Sequence, residues 1–168
     1  MPVKLNDYSI NVKAALNSVT KKWLREASFE VESDAKRNCK LDGQQGVKLK
    51  GSYKSQVDEG KGEALVGSPL ESVYWEEFGT GSHAAHGDGR KGWWVYIKDG
   101  ESRNKTGQTY ASQAEAEEAA EFLRKVKKLD AYATNGRDPN YTLEKAFKNT
   151  APKAQRRLEQ MLKEGMSE

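Results

Sequence analysis

Residues 66–81, with the sequence VGSPLESVYWEEFGTG, constrain the fold of this chain more than any other stretch. A G-S-P turn precedes four apolar residues, three of them aromatic, that surround two adjacent glutamates, and a G-T-G segment follows. Glycine and proline mark chain reversals, whereas large aromatic side chains favour burial. The pattern predicts an aromatic strand or short helix that ends at a glycine hinge. We expect Trp75 and Phe78 to lie in the core beside Trp23.

Length and composition limit the classes of protein to consider. A chain of 168 residues is long enough for one core, so we predict a single domain spanning residues 1–168. Charged residues make up 32 % of it and the mean hydropathy is −0.91, which leaves a modest core and favours oligomerisation. The 28 basic and 25 acidic residues nearly cancel, which argues against a dedicated reader of duplex DNA.

Cysteine content and hydropathy indicate where the protein is made. The single Cys39 excludes an internal disulfide and a multi-cysteine zinc site. The sequence contains no apolar segment of signal-peptide or membrane-spanning length. We therefore expect a protein made in the cytoplasm, with no membrane partner.

A long amphipathic helix is the strongest periodic pattern in the chain. Apolar residues recur every three or four positions up to about Asn38, and polar residues between positions 6 and 9 are placed to cap the helix. The opposite face mixes basic residues with acids that include Glu32 and Asp34, a mixture typical of a solvated helix face. The apolar stripe comprises Val12, Leu16, Val19, Trp23, Ala27, Val31 and Ala35.

Short extended segments follow the first helix. Residues 41–46 predict a turn, after which alternating apolar residues predict a strand. A glycine turn then sends the chain back, so we expect a hairpin over residues 53–66. Residues 93–97 predict an aromatic strand, and residues 101–107 predict a polar, mobile tip.

The C-terminal part predicts two helices. A capping box at residue 112 begins a helix that ends near residue 128, and a short strand follows at residues 130–133. The closing helix starts near residue 140, and Pro152 inside it predicts a kink or a restart. We expect this helix to bury Leu143, Ala146, Phe147, Leu158, Met161 and Leu162. Together the elements predict an α+β domain, with a small antiparallel sheet flanked by a long N-terminal helix and a C-terminal helix.

The glycine-rich loop at residues 79–92, GTGSHAAHGDGRKG, invites three chemical interpretations, and none is well supported. A phosphate-binding loop needs a hydroxyl residue after its lysine, which this loop lacks. His83, His86 and Asp88 have no third histidine or second cysteine to complete a common metal site. Ser82 beside His83 does not indicate a catalytic pair, because geometry rather than adjacency defines one. We predict no catalytic, cofactor-binding or metal-binding residue.

The same loop has the composition of an assembly loop. Its glycines leave the backbone many conformations, and ordering them costs entropy that a partner surface must offset. Adjacent tryptophans point to opposite faces of the strand that follows, so we expect one in the core and the other at an interface. The predicted assembly residues are Ser82, His83, His86, Arg90, Lys91, Trp93 and Trp94.

The motif order resembles a known family. V-G-S-P, then V-Y-W-E-E-F-G-T-G, and later G-R-D-P-N-Y-T-L-E-K-A-F at residues 136–147, are similar to the neck and tail-completion proteins of long-tailed bacteriophages, including the minor tail protein Z type of lambda-like phages. The resemblance covers roughly residues 49–158, and the helix predicted at residues 112–128 interrupts it as an insertion. The motif positions are Val66, Gly67, Tyr74, Trp75, Phe78, Gly79, Thr80, Gly81, Pro139, Leu143 and Phe147.

The resemblance implies a role in the virion. It implies a non-enzymatic protein of the head–tail junction, present in the host cytoplasm during assembly, that forms a homo-oligomeric ring without a cofactor, with a hexamer favoured. Its partners are then the head–tail connector, the tail-terminator or tail-tube proteins, and viral DNA that passes unspecifically through the ring. The basic residues that are candidates to face this DNA are Lys21, Lys22, Arg25, Arg156 and Arg157.

Two other classes of function remain alternatives. One is a cytoplasmic nucleic-acid-binding protein that uses Arg90, Lys91 and the tryptophans Trp93 and Trp94. The other is a small hydrolase built on one of the two histidines with Glu76 or Glu77.

Overall fold

A computed structural model describes residues 9–40, 43–99, 102–105 and 107–165, and it has the predicted α+β architecture. Its helices are α1 (Ser9–Asn38), α2 (Gly43–Ser52), α3 (Glu71–Phe78), α4 (Gln113–Val126) and α5 (Thr142–Gly165). Its strands are β1 (Lys54–Asp58), β2 (Glu63–Gly67), β3 (Thr80–Gly81), β4 (Trp94–Asp99), β5 (Ser102–Lys105), β6 (Ala131–Thr134) and β7 (Gly136–Arg137). The long first helix, the helix predicted at residues 112–128 and the closing helix are confirmed. Of the predicted caps, Asn6 and Asp7 lie outside the described residues, and Ser9 is the first residue of α1.

The described strands form three small antiparallel sheets rather than one. β1 and β2 make the predicted hairpin, with Lys54 opposite Gly67 and Asp58 opposite Glu63. β4 is the central strand of a sheet whose edges are β5 and β6. β3 and β7 pair over two residues each.

These elements fall into two compact units, and each unit is assembled from separated stretches of the chain. The first unit contains α1 up to Arg37, the β1–β2 hairpin, and α5 from Leu143 onward. The second contains residues 38–52 and 68–142, and therefore α2, α3, α4 and the other two sheets. The single domain stays a prediction.

In the first unit, polar side chains connect α1 to α5. Trp23 donates a hydrogen bond from Nε1 to the carbonyl oxygen of Ala154 at 2.6 Å, and Asn149 Nδ2 donates to Asp34 Oδ2 at 3.1 Å. The buried residues of α5 in this unit are the small Ala146, Thr150 and Ala154. The buried face of α5 in this unit thus consists of small residues, and hydrogen bonds made by Trp23 and Asn149 link the two helices.

In the second unit, α4 covers the three-stranded sheet. Val95 of β4, Ala120 of α4 and Ala131 of β6 form a fully buried cluster. The capping box is confirmed, because Ser112 Oγ accepts a hydrogen bond from the Glu115 backbone N–H at 3.3 Å. Local sequence therefore determines where α4 begins.

Residues 43–52 form a helix, so the predicted turn followed by an extended segment is wrong there. Positions 46, 49 and 53 are buried, and their spacing of three and four residues is helical. Val47 suggested a strand alternation but is exposed. Leu49 and Tyr53 supply the burial that holds the helix despite its glycines.

The polar tip predicted at residues 101–107 contains β5 instead. Ser102–Lys105 pairs with residues 96–99 of β4. An edge strand has a neighbour on one side only, so it can form without an apolar pattern.

The proline in the closing helix does not end it. α5 is continuous from Thr142 to Gly165 with Pro152 inside, so the helix does not restart there. The loss of one backbone hydrogen bond at a proline is local, and the turns on either side retain theirs.

Two acids that the sequence placed on a solvated face of α1 are buried. Glu32 accepts hydrogen bonds from the backbone N–H of Ser55 at 2.6 Å, from its hydroxyl at 2.7 Å, and from Lys36 Nζ at 2.6 Å. Asp34 is buried near Asn149 and also accepts from Arg37. Each carboxylate exchanges water for fixed donors, which is the condition for burying a charge.

The pKa of Glu32 leads to a testable pH dependence. Burial raises this pKa, but the hydrogen bonds from Lys36 and Ser55 outweigh burial and hold it below the usual value of 4.5. A lowered pKa stabilises the fold above the unfolded-state pKa, and this contribution is lost as pH falls through the folded-state pKa. We expect Glu32→Gln to flatten the decline of unfolding free energy below pH 4.5 in urea titrations. Glu63→Gln, at an exposed position, is the control, and equal slopes in both variants would contradict the prediction.

Candidate functional site

Parts of the two motif segments, residues 73–81 of the first and 136–142 of the second, meet in the second unit. Thr80 of β3 pairs with Arg137 of β7, and Gly81 pairs with Gly136. The backbone N–H groups of Asn140 and Tyr141 then donate to the carbonyl oxygens of Glu76 and Glu77, at 2.9 and 3.1 Å. Segments almost sixty residues apart in sequence therefore form one continuous structure.

The close approach of these segments explains the glycine at position 79. Gly79 has a φ of 74°, and a Cβ atom there would lie 2.6 Å from the carbonyl oxygen of Arg137 and 2.8 Å from the nitrogen of Pro139. Both the backbone conformation and the available space exclude a side chain. The glycine hinge predicted from the sequence is thus a contact point between the two motif segments.

Glu76 lies at the centre of this structure, and its side chain is fully buried. Its carboxylate pairs with the guanidinium of Arg137. It also accepts hydrogen bonds from Asn140 Nδ2 at 2.9 Å and from the backbone N–H of Lys40 at 3.0 Å. Asn140 Nδ2 lies 2.8 Å from the carbonyl oxygen of Asn38 and from Thr142 Oγ1. The carboxylate therefore joins three stretches of chain: the end of α1, helix α3 and the residues before α5.

From the sequence alone, Glu76 is only a possible partner of a histidine in a hydrolase site. The signal that identifies its role is an acid within an apolar, aromatic cluster, followed by a second motif that contains an arginine. Val73, Glu76 and Glu77 are buried and lie at helical spacing, so they form the inner face of α3.

The prediction that Trp75 lies in the core is wrong. Because the inner face of α3 is occupied by residues 73, 76 and 77, Tyr74 and Trp75 point outward and are each 40 % exposed. Their rings meet edge to face at 5.2 Å, and Phe78, which is partly buried, lies 5.0 Å from the Tyr74 ring. The aromatic cluster of the first motif is therefore partly a surface feature.

The predicted assembly loop is held by its own contacts. Ser82 donates to the carbonyl oxygen of Asn135 from both its backbone N–H (2.8 Å) and its hydroxyl (3.0 Å). His83 Nδ1 lies 2.7 Å from Asp138 Oδ1, and the ring of His86 lies 4.7 Å from that of Phe78. The contacts of Ser82 and His83 attach the first half of the loop to residues 135–138, and His86 attaches it to the first motif segment.

Arg90 and Lys91 hold the second half of the loop. Arg90 donates to the carbonyl oxygen of Gln108 and to Thr109 Oγ1, both at 2.8 Å, and its guanidinium carbon lies 5.0 Å from the Trp94 ring centroid. Lys91 Nζ donates to the carbonyl oxygen of Gly87 at 2.9 Å. The guanidinium is thus directed toward the protein.

The tryptophan pair divides as predicted between the core and the surface. Trp94 is buried, whereas Trp93 is only partly buried and its backbone bonds to Tyr110. The residue with a remaining exposed surface is therefore Trp93.

Three of the five basic residues proposed to face DNA are engaged in ion pairs within the first unit. Lys21 and Arg25 both pair with Glu59, and Arg157 pairs with Glu26 and Glu30. The remaining two, Lys22 and Arg156, are exposed. A paired cation already has a counter-charge, so Lys22 and Arg156 are better placed to contact phosphate.

Searches for known relatives do not assign a family to this chain. No protein-family model, no curated protein and no solved structure matches it. The likeness to phage neck proteins therefore depends on the motif residues described above.

Two further surveys cover only the part of the chain that the structure describes. None of its helices is both long and apolar enough to cross a bilayer. No group of three histidine, cysteine or acidic side chains is arranged there to hold a metal ion.

The network around Glu76 can be tested by substitution. We expect Glu76→Ala to lower the unfolding free energy by about 3–5 kcal/mol, because it leaves the Arg137 guanidinium and several buried donors without the carboxylate. Urea denaturation followed by circular dichroism measures the change. Ser72→Ala on the exposed face of the same helix should stay within about 0.5 kcal/mol of the parent. A loss at Glu76 no larger than that of the control would contradict a central role for this carboxylate.

Proposed function

We propose that this chain is a non-enzymatic structural protein of the neck of a long-tailed bacteriophage. In this role it assembles into a ring, with a hexamer favoured, around the channel through which DNA passes. The ring joins the head–tail connector to the tail-terminator or tail-tube proteins. The protein is made in the host cytoplasm and is retained in the virion.

One observation carries the proposal. Most of the residues that resemble the neck family lie at positions 73–81 and 136–142, and the network of Glu76, Arg137 and Asn140 joins these two stretches within the second unit. A chance likeness of short motifs would not require the two segments to meet. Their union supports the view that the resemblance reflects a shared structural unit.

The exposed aromatic residues support assembly. Tyr74 and Trp75 contact each other and remain partly exposed. Tyrosine and tryptophan are enriched among the residues that dominate protein–protein binding energy. Because the two aromatic rings contact each other, these exposed side chains are already positioned. This arrangement suits a protein that must bind neighbours on several sides.

The nucleic-acid-binding alternative is less well supported. It requires Arg90 and a tryptophan to be presented together to a base or a phosphate. Arg90 is instead directed at protein acceptors, and Trp94 is buried. The hydrolase alternative, a histidine with Glu76 or Glu77, is also less well supported, because both glutamates are buried and His83 lies beside Asp138 instead.

The proposed role can be tested in the phage that carries the gene. We expect a phage deleted for this gene to accumulate filled heads and complete tails that do not join, as seen by electron microscopy. A plasmid copy of the parent gene or of Ser72→Ala should restore joined particles, whereas Glu76→Ala should restore fewer. Normal joined particles in the deletion strain would contradict the proposal.

A second measurement concerns DNA. A protein that surrounds moving DNA must not hold it, so each subunit should make few phosphate contacts. We expect the isolated protein to bind labelled duplex no more tightly than about 10⁻⁴ to 10⁻⁶ M at physiological salt, the range of ordinary non-specific binding. Sub-micromolar binding that is lost on replacing Arg90 and Lys91 by glutamine would instead favour the nucleic-acid-binding alternative.

A further inference from the structure

The strongest apolar pattern of the chain lines an open groove in the first unit. The groove has a volume of about 530 Å³, and its walls include Trp23 and Val31 of α1, Val66 of β2, and Phe147 and Leu158 of α5. Phe147, which the sequence predicted to be buried, is 63 % exposed. Contiguous exposed apolar surface of this kind marks a binding site in soluble proteins.

A second apolar surface lies on α4 in the second unit. Phe122 and Val126 are 55 % and 58 % exposed, and the partly buried Ala119 lies one turn before Phe122 and two turns before Val126. Ala116 and Ala120 of the same helix are buried. The helix is therefore apolar on two sides, and residues 119, 122 and 126 have the spacing with which a helix docks into a groove.

Charge favours a match between these two surfaces. Glu118 lies on the α4 surface beside Ala119 and Phe122, and the helix has four glutamates before its first basic residue. Two of those glutamates pair within α4, with Arg124 and Lys125. On the other side, α5 contains six basic and three acidic residues, and its Lys153 and Arg156 are exposed within one turn of groove residues. The α4 surface thus carries an acidic flank and the α5 wall of the groove carries basic residues, so the two charges are complementary.

We propose that the occupant of the groove is α4 of a second copy of this chain. Each copy then offers a helix to one neighbour and a groove to another, which is a head-to-tail contact that generates a ring when it closes. The inference rests on the proposed function for the ring, whereas the docking itself requires only the two surfaces.

Paired substitutions test the contact. Phe122→Asp alters the helix surface and Phe147→Asp alters the groove, and both positions are exposed, so both variants should keep the parent melting curve. Val47→Asp, at an exposed apolar position of α2, is the matched control. We would measure sedimentation velocity at a protein concentration of about 100 µM, which is far above a micromolar Kd for the contact between α4 and the groove. We expect oligomers of the parent and the control but monomers of the two variants.

Mixing the two variants makes the test specific. Phe122→Asp retains an intact groove and Phe147→Asp retains an intact helix surface, so an equimolar mixture should form a dimer that cannot grow. A monomeric mixture, or a monomeric parent protein, would overturn the docking proposal. So would a Phe147→Asp variant that still oligomerises, which would indicate that α4 pairs with α4. A ring in the virion neck combined with a monomeric parent would keep the proposed function and refute this contact.

Discussion

The second unit is organised around the ion pair and hydrogen bonds of one fully buried carboxylate, that of Glu76. Removing a charge from water costs several kcal/mol, and here the cost is offset by the Arg137 guanidinium and by donors from Lys40 and Asn140. Because the donors come from stretches far apart in sequence, the carboxylate also selects which stretches meet. The close backbone contact at Gly79 and the β3–β7 pair lie beside this network, and they join the same two stretches of chain.

Patterns that depend on neighbouring residues were the ones that could be predicted from sequence. The helical period of α1, the capping box of α4 and the hairpin of β1 and β2 are all set within a few residues. Helix α2 was missed because its glycines indicate a turn, and only the tertiary burial of Leu49 and Tyr53 outweighs them. The network around Glu76 was missed because its partners come together only when the chain folds, and no spacing in the sequence marks them.

The assignment of apolar residues to the core failed in an informative way. Trp75 and Phe147 both belong to apolar patterns, yet both are substantially exposed. In α3 the inner face is taken by Val73 and two acids, so the aromatic residues turn outward. In the first unit, small residues of α5 make the buried face, which leaves Phe147 at the edge of the groove. Apolar periodicity therefore indicates surfaces that avoid water, including surfaces for which we propose another chain as the partner.

The division of the chain into two interleaved units has a consequence for synthesis. The second unit consists mainly of residues 68–142, so the ribosome completes it before α5 emerges. The first unit needs α1, the hairpin and α5, and α5 is made more than a hundred residues after α1 ends. During that interval α1 can contact the hairpin, but its contacts with α5 cannot yet form. Translation speed and chaperone binding in this window should therefore determine how much of the protein reaches the folded state.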